Sequence, residues 1–298
     1  MSTRSVVEHF THLSADAALM AMEDNTTRIQ RVLSDRFVAH RRLAEILDHA
    51  RFLLLQPPQT RAWGLVVMGE PGAGKTMLAK SILRQFPPTP ALEKSPMRIP
   101  AVMISMTGAR EARTIFNRIL EALAAPMIAS MRGSDRERLV IRLLRDAQTR
   151  LLIVDEIQDI LQTTVRQREQ SLETIKFLMN ELQLPVLALG IPKAMLAMKS
   201  DPHLNARFEY AELPNWKVGD DLAALLTALE NALPLRRPSH LSSPSTMKEI
   251  VRLTKGILAK IVRLINHAAV QAITSDSECI DVRMLAAAMK VPSSQILH

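Results

Sequence analysis

Cysteine is nearly absent: Cys279 is the single one in 298 residues. That excludes an internal disulfide and any cysteine-cluster metal site, and it agrees with a reducing compartment. Aromatic residues make up only 3% of the chain, which argues against recognising nucleic acid by stacking bases on exposed rings. Long apolar runs are missing too; those at Ala122–Ala129 and around Leu151 and Leu184 fall far short of a bilayer span. The N-terminal stretch "MSTRSVVEHFTHLSADAALM" has charges where a secretory signal keeps a continuous apolar core. These absences predict a cytoplasmic protein with no membrane partner. The eight histidines show no metal-ligand spacing and read as structural or surface groups.

Hydrophobic residues make up 47% of the chain, enough for a substantial core in one large or two modest domains. Thirty-eight Lys and Arg against 30 Asp and Glu give +8, with a pI near 10.0. A polyanionic partner fits that balance, as does an ordinary, mildly basic surface. If the partner is nucleic acid, the scarcity of rings points to the backbone phosphates.

Along the chain, a helical pattern runs from about Asp16 through "RVLSDRFVAHRRLAEILDHARFLLL", with apolar positions at Val38, Leu43, Ile46 and Leu47. "QPPQT" ends it, because consecutive prolines remove donors and clash with a continuing helix. Four short apolar runs then read as buried strands: "GLVVMG" at Gly64, "IPAVMIS" from Ile99, "RLLIVDE" from Arg150 and "LPVLALG" from Leu184. "EYAELP" at Glu209–Pro214 is a weaker fifth. Helical periodicity fills the gaps at Glu111–Ala124, Arg136–Gln148 and Gln170–Leu182, and such alternation predicts a parallel sheet covered on both faces. Residues 217–298 hold no strand-like run and read as helices at about 218–232, 244–254, 257–274 and 281–290. The expected organisation is a helical extension over 1–50, an α/β domain over 51–215 and an all-helical domain over 216–298.

Glycine is also scarce, with nine in the chain, yet Gly69, Gly72 and Gly74 crowd into "MGEPGAGKTM". Gly69, Glu70, Pro71, Gly72, Ala73, Gly74, Lys75 and Thr76 fit G-x-x-x-x-G-K-[ST], between a predicted strand and a predicted helix, and with Met77 they are the expected nucleotide-binding residues of this loop. Glycines there let successive N–H groups turn inward onto phosphate oxygens, and the following helix adds the positive end of its dipole. Lys75 supplies a point charge at the β and γ phosphates of ATP, and the Thr76 hydroxyl is a ligand for Mg²⁺.

Hydrolysis also needs acids at the end of another strand, and "LLIVDE" provides them. Asp155 is expected in the Mg²⁺ shell and Glu156 as the group that polarises the attacking water. A small-molecule kinase would share the phosphate loop without needing a long helical domain after the sheet. In "LNARFEYAELPNW", Arg207 stands just before the predicted edge strand, placed either to reach a neighbouring subunit's transition state or to pair with Glu209 or Glu212. Lys260 and Arg263, on an otherwise apolar helix, can approach the γ-phosphate or simply face water.

In this order, Gly69–Thr76, Asp155–Glu156, Arg207 and a C-terminal helical region resemble the AAA+ ATPases. The chain looks most like the TniB family of transposition ATP-binding proteins, relatives of TnsC and more distantly of MuB and IstB. "LPNWKVGDDLAALLTALENALPLRRPSHLSS" from Leu213 and "GILAKIVRLINHAAVQAI" from Gly256 look like that family's lid, and the likeness extends from about Phe37 to Ala288. The resemblance implies an AAA+ P-loop NTPase with a helix-flanked parallel sheet and a C-terminal all-helical lid. It further implies ATP-dependent assembly on double-stranded DNA as rings or helical filaments. Its partners would be a DDE transposase of the TniA/TnsB kind and a TniQ-like targeting protein.

Candidate DNA contacts are Arg110 and Arg113 in "MTGAREAR", then Arg145 and Arg150; each also reads as an ordinary surface arginine. One departure stands out. Where these ATPases carry a polar γ-phosphate sensor after the fourth strand, "LALGIPKA" has Ile191, so either a nearby polar group substitutes or hydrolysis is slow. Two other readings stay open: a replication helicase loader or initiator, which a winged-helix domain after Val291 would favour and none is read there, and an ATP-dependent assembly switch that does not bind DNA.

Overall fold

The computed structural model describes residues 10–34, 40–90, 97–108, 111–126 and 131–289. In chain order the elements are α1 (Ala15–Met20), α2 (Asn25–Leu33), α3 (Arg41–Leu55), β1 (Gly64–Gly69), α4 (Lys75–Gln85), β2 (Ala101–Ser105), α5 (Ala112–Ala122) and α6 (Gly133–Asp146). Next come β3 (Leu151–Asp155), a 3-10 helix (Ile157–Gln162), α7 (Val165–Glu181), β4 (Val186–Gly190), α8 (Ala194–Lys199), α9 (Pro202–Asn205) and β5 (Phe208–Leu213). Four helices follow: α10 (Asp220–Asn231), α11 (Pro244–Thr254), α12 (Leu258–Thr274) and α13 (Val282–Ala288). The chain divides into two compact units, one spanning Arg42–Leu213 and one joining the residues up to Arg41 to those from Pro214.

The first unit is built on a five-stranded sheet in the order β2-β3-β4-β1-β5, with every pairing parallel. In β1, β3 and β4 every residue is buried. Helices cover both faces of a parallel sheet, so its central strands read as unbroken apolar runs. At the edge, β5 buries only Phe208 and Leu213, hence its weaker sequence signal. Because the strands are parallel, Gly69, Asp155 and Gly190 all finish at the carboxyl edge, where open α/β sheets bind ligands. The longest helix of this unit, α7, opens with a capping box in which Thr164 and Gln167 satisfy each other's backbone N–H groups.

The expected single helix from Asp16 to Leu55 is instead three helices. Asp24 caps α2 by accepting from Thr27 N, which offers the backbone an alternative to continuing α1. Ser34 then leaves α2 in an extended conformation. Leu43, Ile46 and Leu47 are buried on α3, while Val38 lies outside the described residues. The domain boundaries differ from those expected for the same reason: α1 and α2 belong with the C-terminal helices, and α3 goes with the sheet.

In the helical unit Val32 shares a core with Leu226, Leu229, Ile265 and Ala269. Arg28, fully buried, donates to Pro234 O at 2.8 and 3.1 Å and to Glu278 Oε1 at 2.8 Å. A guanidinium is tolerated there because carbonyls and a carboxylate satisfy it. Among the described residues, no single helix is long and apolar enough to cross a membrane.

Candidate nucleotide-binding site

The loop Gly69–Gly74 joins β1 to α4. Gly72 and Gly74 have φ of 85° and 102°, in the left-handed region that costs glycine nothing. Gly74 caps α4 without a side-chain hydrogen bond, so the first N–H groups of that helix present themselves to an anion. Lys75 is 6% exposed, and its Nζ donates to Gly69 O at 2.7 Å and Glu70 O at 3.1 Å. Burial pushes its pKa down, against the opposing pull of Glu156, Asp155 and Glu70. A buried ammonium beside a ring of backbone donors fits a polyphosphate. Ala73 packs inside the loop and donates its N–H to Glu70 O at 3.0 Å.

The second half of the site comes from the end of β3. Thr76 Oγ1 donates to Asp155 Oδ2 at 3.0 Å, and Asp155 Oδ1 accepts from Glu156 N at 2.9 Å. Burial raises the Asp155 pKa; the Glu156 charge adds to this, while the Thr76 hydroxyl, the Glu156 N–H and Lys75 oppose it. Two hard oxygens side by side, one on a carboxylate whose burial is costly, suit a divalent cation such as Mg²⁺. Glu156 adopts φ 55°, ψ 40°, uncommon for a residue with a Cβ and concentrated at functional sites.

Gln158, which no sequence motif singled out, donates to Glu156 Oε2 and accepts from Ile191 N at 3.1 Å. A polar group therefore stands beside Ile191, although its partner there is the backbone. The available signal was an amide two residues after Glu156, flanked by the apolar Ile157 and Ile160.

Arg207 sits at the other end of the sheet. Its carbonyl accepts from Gly64 N at 2.9 Å, and its guanidinium donates to Asn180 Oδ1 at 2.6 Å, rather than pairing with Glu209 or Glu212. Gly69 is in register with Leu213 at the far end of β5. At about 3.3 Å per strand residue, Arg207 lies on the order of 20 Å from its own phosphate loop.

Lys260 and Arg263 lie on α12 of the helical unit, both exposed. Arg113, in the first turn of α5 just beyond the carboxyl end of β2, is 3.4 Å from Glu111. Arg110 lies outside the described residues. Arg145 pairs with Glu181 at 2.6 Å, and Arg150, which precedes β3, donates to Gln56 O.

Residues 28–218 match the family model described as Bacterial TniB protein. The match stops soon after β5, so the lid-like segment from Gly256 lies beyond it. A search of curated proteins returns no significant match. Among solved structures, the ORC2 protein of Aeropyrum pernix in ADPNP and ADP complexes superposes with a TM-score of 0.62 at 15% identity, over 87% of this chain and 70% of that one. Cdc6p of Pyrobaculum aerophilum gives 0.60 at 16% identity, over 89% and 73%. The A. pernix ORC1 protein in complex with DNA gives 0.57 at 14%, over 87% and 68%. At such identities the likeness is one of fold, the AAA+ P-loop architecture. With that fold, a phosphate loop and paired acids at the end of β3, and a family match over most of its length, this chain is an AAA+ P-loop ATPase that belongs to the bacterial TniB family.

Proposed function

We propose that the protein is an ATP-dependent double-stranded DNA-binding regulator that oligomerises on target DNA and recruits or activates a DDE transposase. The observation that carries the assembly is the placement of Arg207. Some 20 Å along the sheet from its own phosphate loop, an arginine can act on a nucleotide only in another copy. Such a contact is head-to-tail, which closes into rings or winds into filaments. ATP at the seam then favours the assembled form, because it binds best where two subunits meet.

In this reading the N–H groups of the loop and the Lys75 ammonium hold the β and γ phosphates, and Glu156 orients water in line with the γ-phosphorus and draws off its proton. Arg207 of the next copy neutralises charge that develops on the phosphoryl oxygens. Mg²⁺ held by Thr76 and Asp155 would supply further charge neutralisation at the phosphates. Duplex DNA would be gripped through its phosphates, with Arg113, beside Glu111, at the loop end of the sheet; Arg145 and Arg150, which precede β3, lie towards its opposite end. The family match supports the transposase as the downstream partner, and a TniQ-like protein as a targeting factor.

The test is binding of the purified chain to long duplex DNA at moderate salt, with ATP, with ADP and without nucleotide, followed by negative-stain imaging. ATP-dependent rings or filaments on DNA are expected. No DNA-dependent assembly in any nucleotide state would overturn the proposal and leave an assembly switch that acts without DNA.

A further inference from the structure

Gln158 is 9% exposed, on a 3-10 helix between the fully buried Ile157 and Ile160. An amide there must find partners at both ends or carry the cost of buried, unmade hydrogen bonds. Its Nε2 donates to Glu156 Oε2, and its Oε1 accepts from Ile191 N at 3.1 Å. The partners fix the orientation of the amide, since a carboxylate only accepts and a backbone N–H only donates. No ionised carboxylate or apolar side chain can serve both.

Two further features are shaped around this bridge. A Cβ on Gly190 would lie 2.7 Å from Gln158 Oε1 and 2.7 Å from Ala194 Cβ, so bare backbone at the end of β4 makes room for the amide. Gly190 is in register with Met68, which places Ile191 beside the start of the phosphate loop. Glu156, at the other end of the bridge, holds its left-handed backbone with its N–H on Asp155 Oδ1.

We propose that Gln158 is a positioning residue that ties the Glu156 carboxylate to the loop after β4, so that the placement of this loop sets when Glu156 faces the attacking water. Ile191 has no polar side chain to offer a γ-phosphate. The loop instead acts through its backbone, with Gln158 as the link to the base. This inference rests on the reading of Glu156 as the group that activates water.

The test compares ATP turnover of the full chain with that of Gln158→Met, which removes both hydrogen bonds, and Gln158→Glu, which keeps the shape but as a carboxylate cannot donate, and which donates only by taking up a proton against the charge of Glu156. Both variants should lower kcat about 10- to 100-fold and leave the KM for ATP within about threefold. In a Glu156→Gln background, Gln158→Met should change the residual rate by less than about twofold, because its effect passes through Glu156. Turnover within about twofold of the unmodified chain in either single variant would overturn the proposal, as would an equal fold-loss in both backgrounds or a KM that rises in step with the loss. If both variants lose cooperative melting, Gln158 is a packing residue and the proposal falls. Failure of the underlying reading shows separately, as Glu156→Gln turning over ATP at the unmodified rate with Gln158 intact.

Discussion

The hydroxyl of Thr76, on the first turn of α4, donates to Asp155 Oδ2 at the end of β3 across 3.0 Å, fastening the phosphate loop to the acidic strand. The carboxylate it meets is buried, and that burial raises its pKa above the usual 3.8. The folded chain therefore holds this proton more tightly than the unfolded one. The group's contribution to stability is complete below the unfolded value and declines as pH rises through the folded one. At neutral pH the charge is a cost, so Asp155→Asn should raise the melting temperature of the nucleotide-free chain by about 2–5 °C while abolishing hydrolysis. A thermal melt that shifts downward would count against this assignment.

Glu156→Gln should keep ATP-dependent assembly on DNA and reduce hydrolysis by about 100-fold or more. Phosphate release and DNA co-sedimentation, run on the same preparation, check it. Equal loss of both would remove Glu156 from the role of base.

Arg207→Ala should leave nucleotide affinity of the isolated chain unchanged and suppress hydrolysis in the assembly by about 1,000-fold. A seam between an intact Arg207 on one copy and an intact Glu156 on the next is still complete. Equal amounts of Arg207→Ala and Glu156→Gln chains should therefore recover about a quarter of the unmodified turnover, since random mixing forms that seam at about one junction in four. No recovery on mixing would remove Arg207 from the chemistry and leave it the structural role of its bond to Asn180.

Glu278 is pushed up by burial, but hydrogen bonds from Arg28 and Arg236 N, with the charges of Arg28 and Arg236, outweigh this and hold its pKa below the usual carboxylate value. Its stabilisation is present above the unfolded pKa and disappears as pH falls through the folded one. Glu278→Gln should cost about 3 kcal/mol at pH near 7, because Arg28 would stay buried without its counter-charge. In urea melts the deficit should shrink towards zero in acid; a deficit independent of pH would mean that packing, not the ion pair, was lost.

Arg113→Ala should reduce the slope of log affinity for duplex DNA against log salt by about one unit, and Arg145→Ala should leave it unchanged. Binding titrations across a salt series distinguish the two. The reverse pattern would put the DNA at the other end of the sheet.

What the residue pattern revealed in advance follows from burial. Central strands sheltered on both faces must be apolar throughout, so β1, β3 and β4 stand out, and the phosphate loop is legible because its glycines are needed where others are few. α8 and α9 are too short to show a period, and the break between α1 and α2 turns on one carboxylate, Asp24, reaching Thr27. Arg28 looks like any surface arginine until its partner, far along the chain at Glu278, is in place. Gln158 escaped for a related reason: its importance lies in two contacts at once, one local and one to a different strand.

The pairing of α2 with the C-terminal helices also sets an order of events at the ribosome. Residues 42–213 form a contiguous unit that can close as soon as it emerges, whereas α2 is made before that unit and meets Glu278 after it. Arg28 and Val32 must wait in water for nearly the whole synthesis of the protein. A chain stopped at residue 218, where the family match ends, would keep the phosphate loop and the paired acids of β3 and leave that early helix without a core to join.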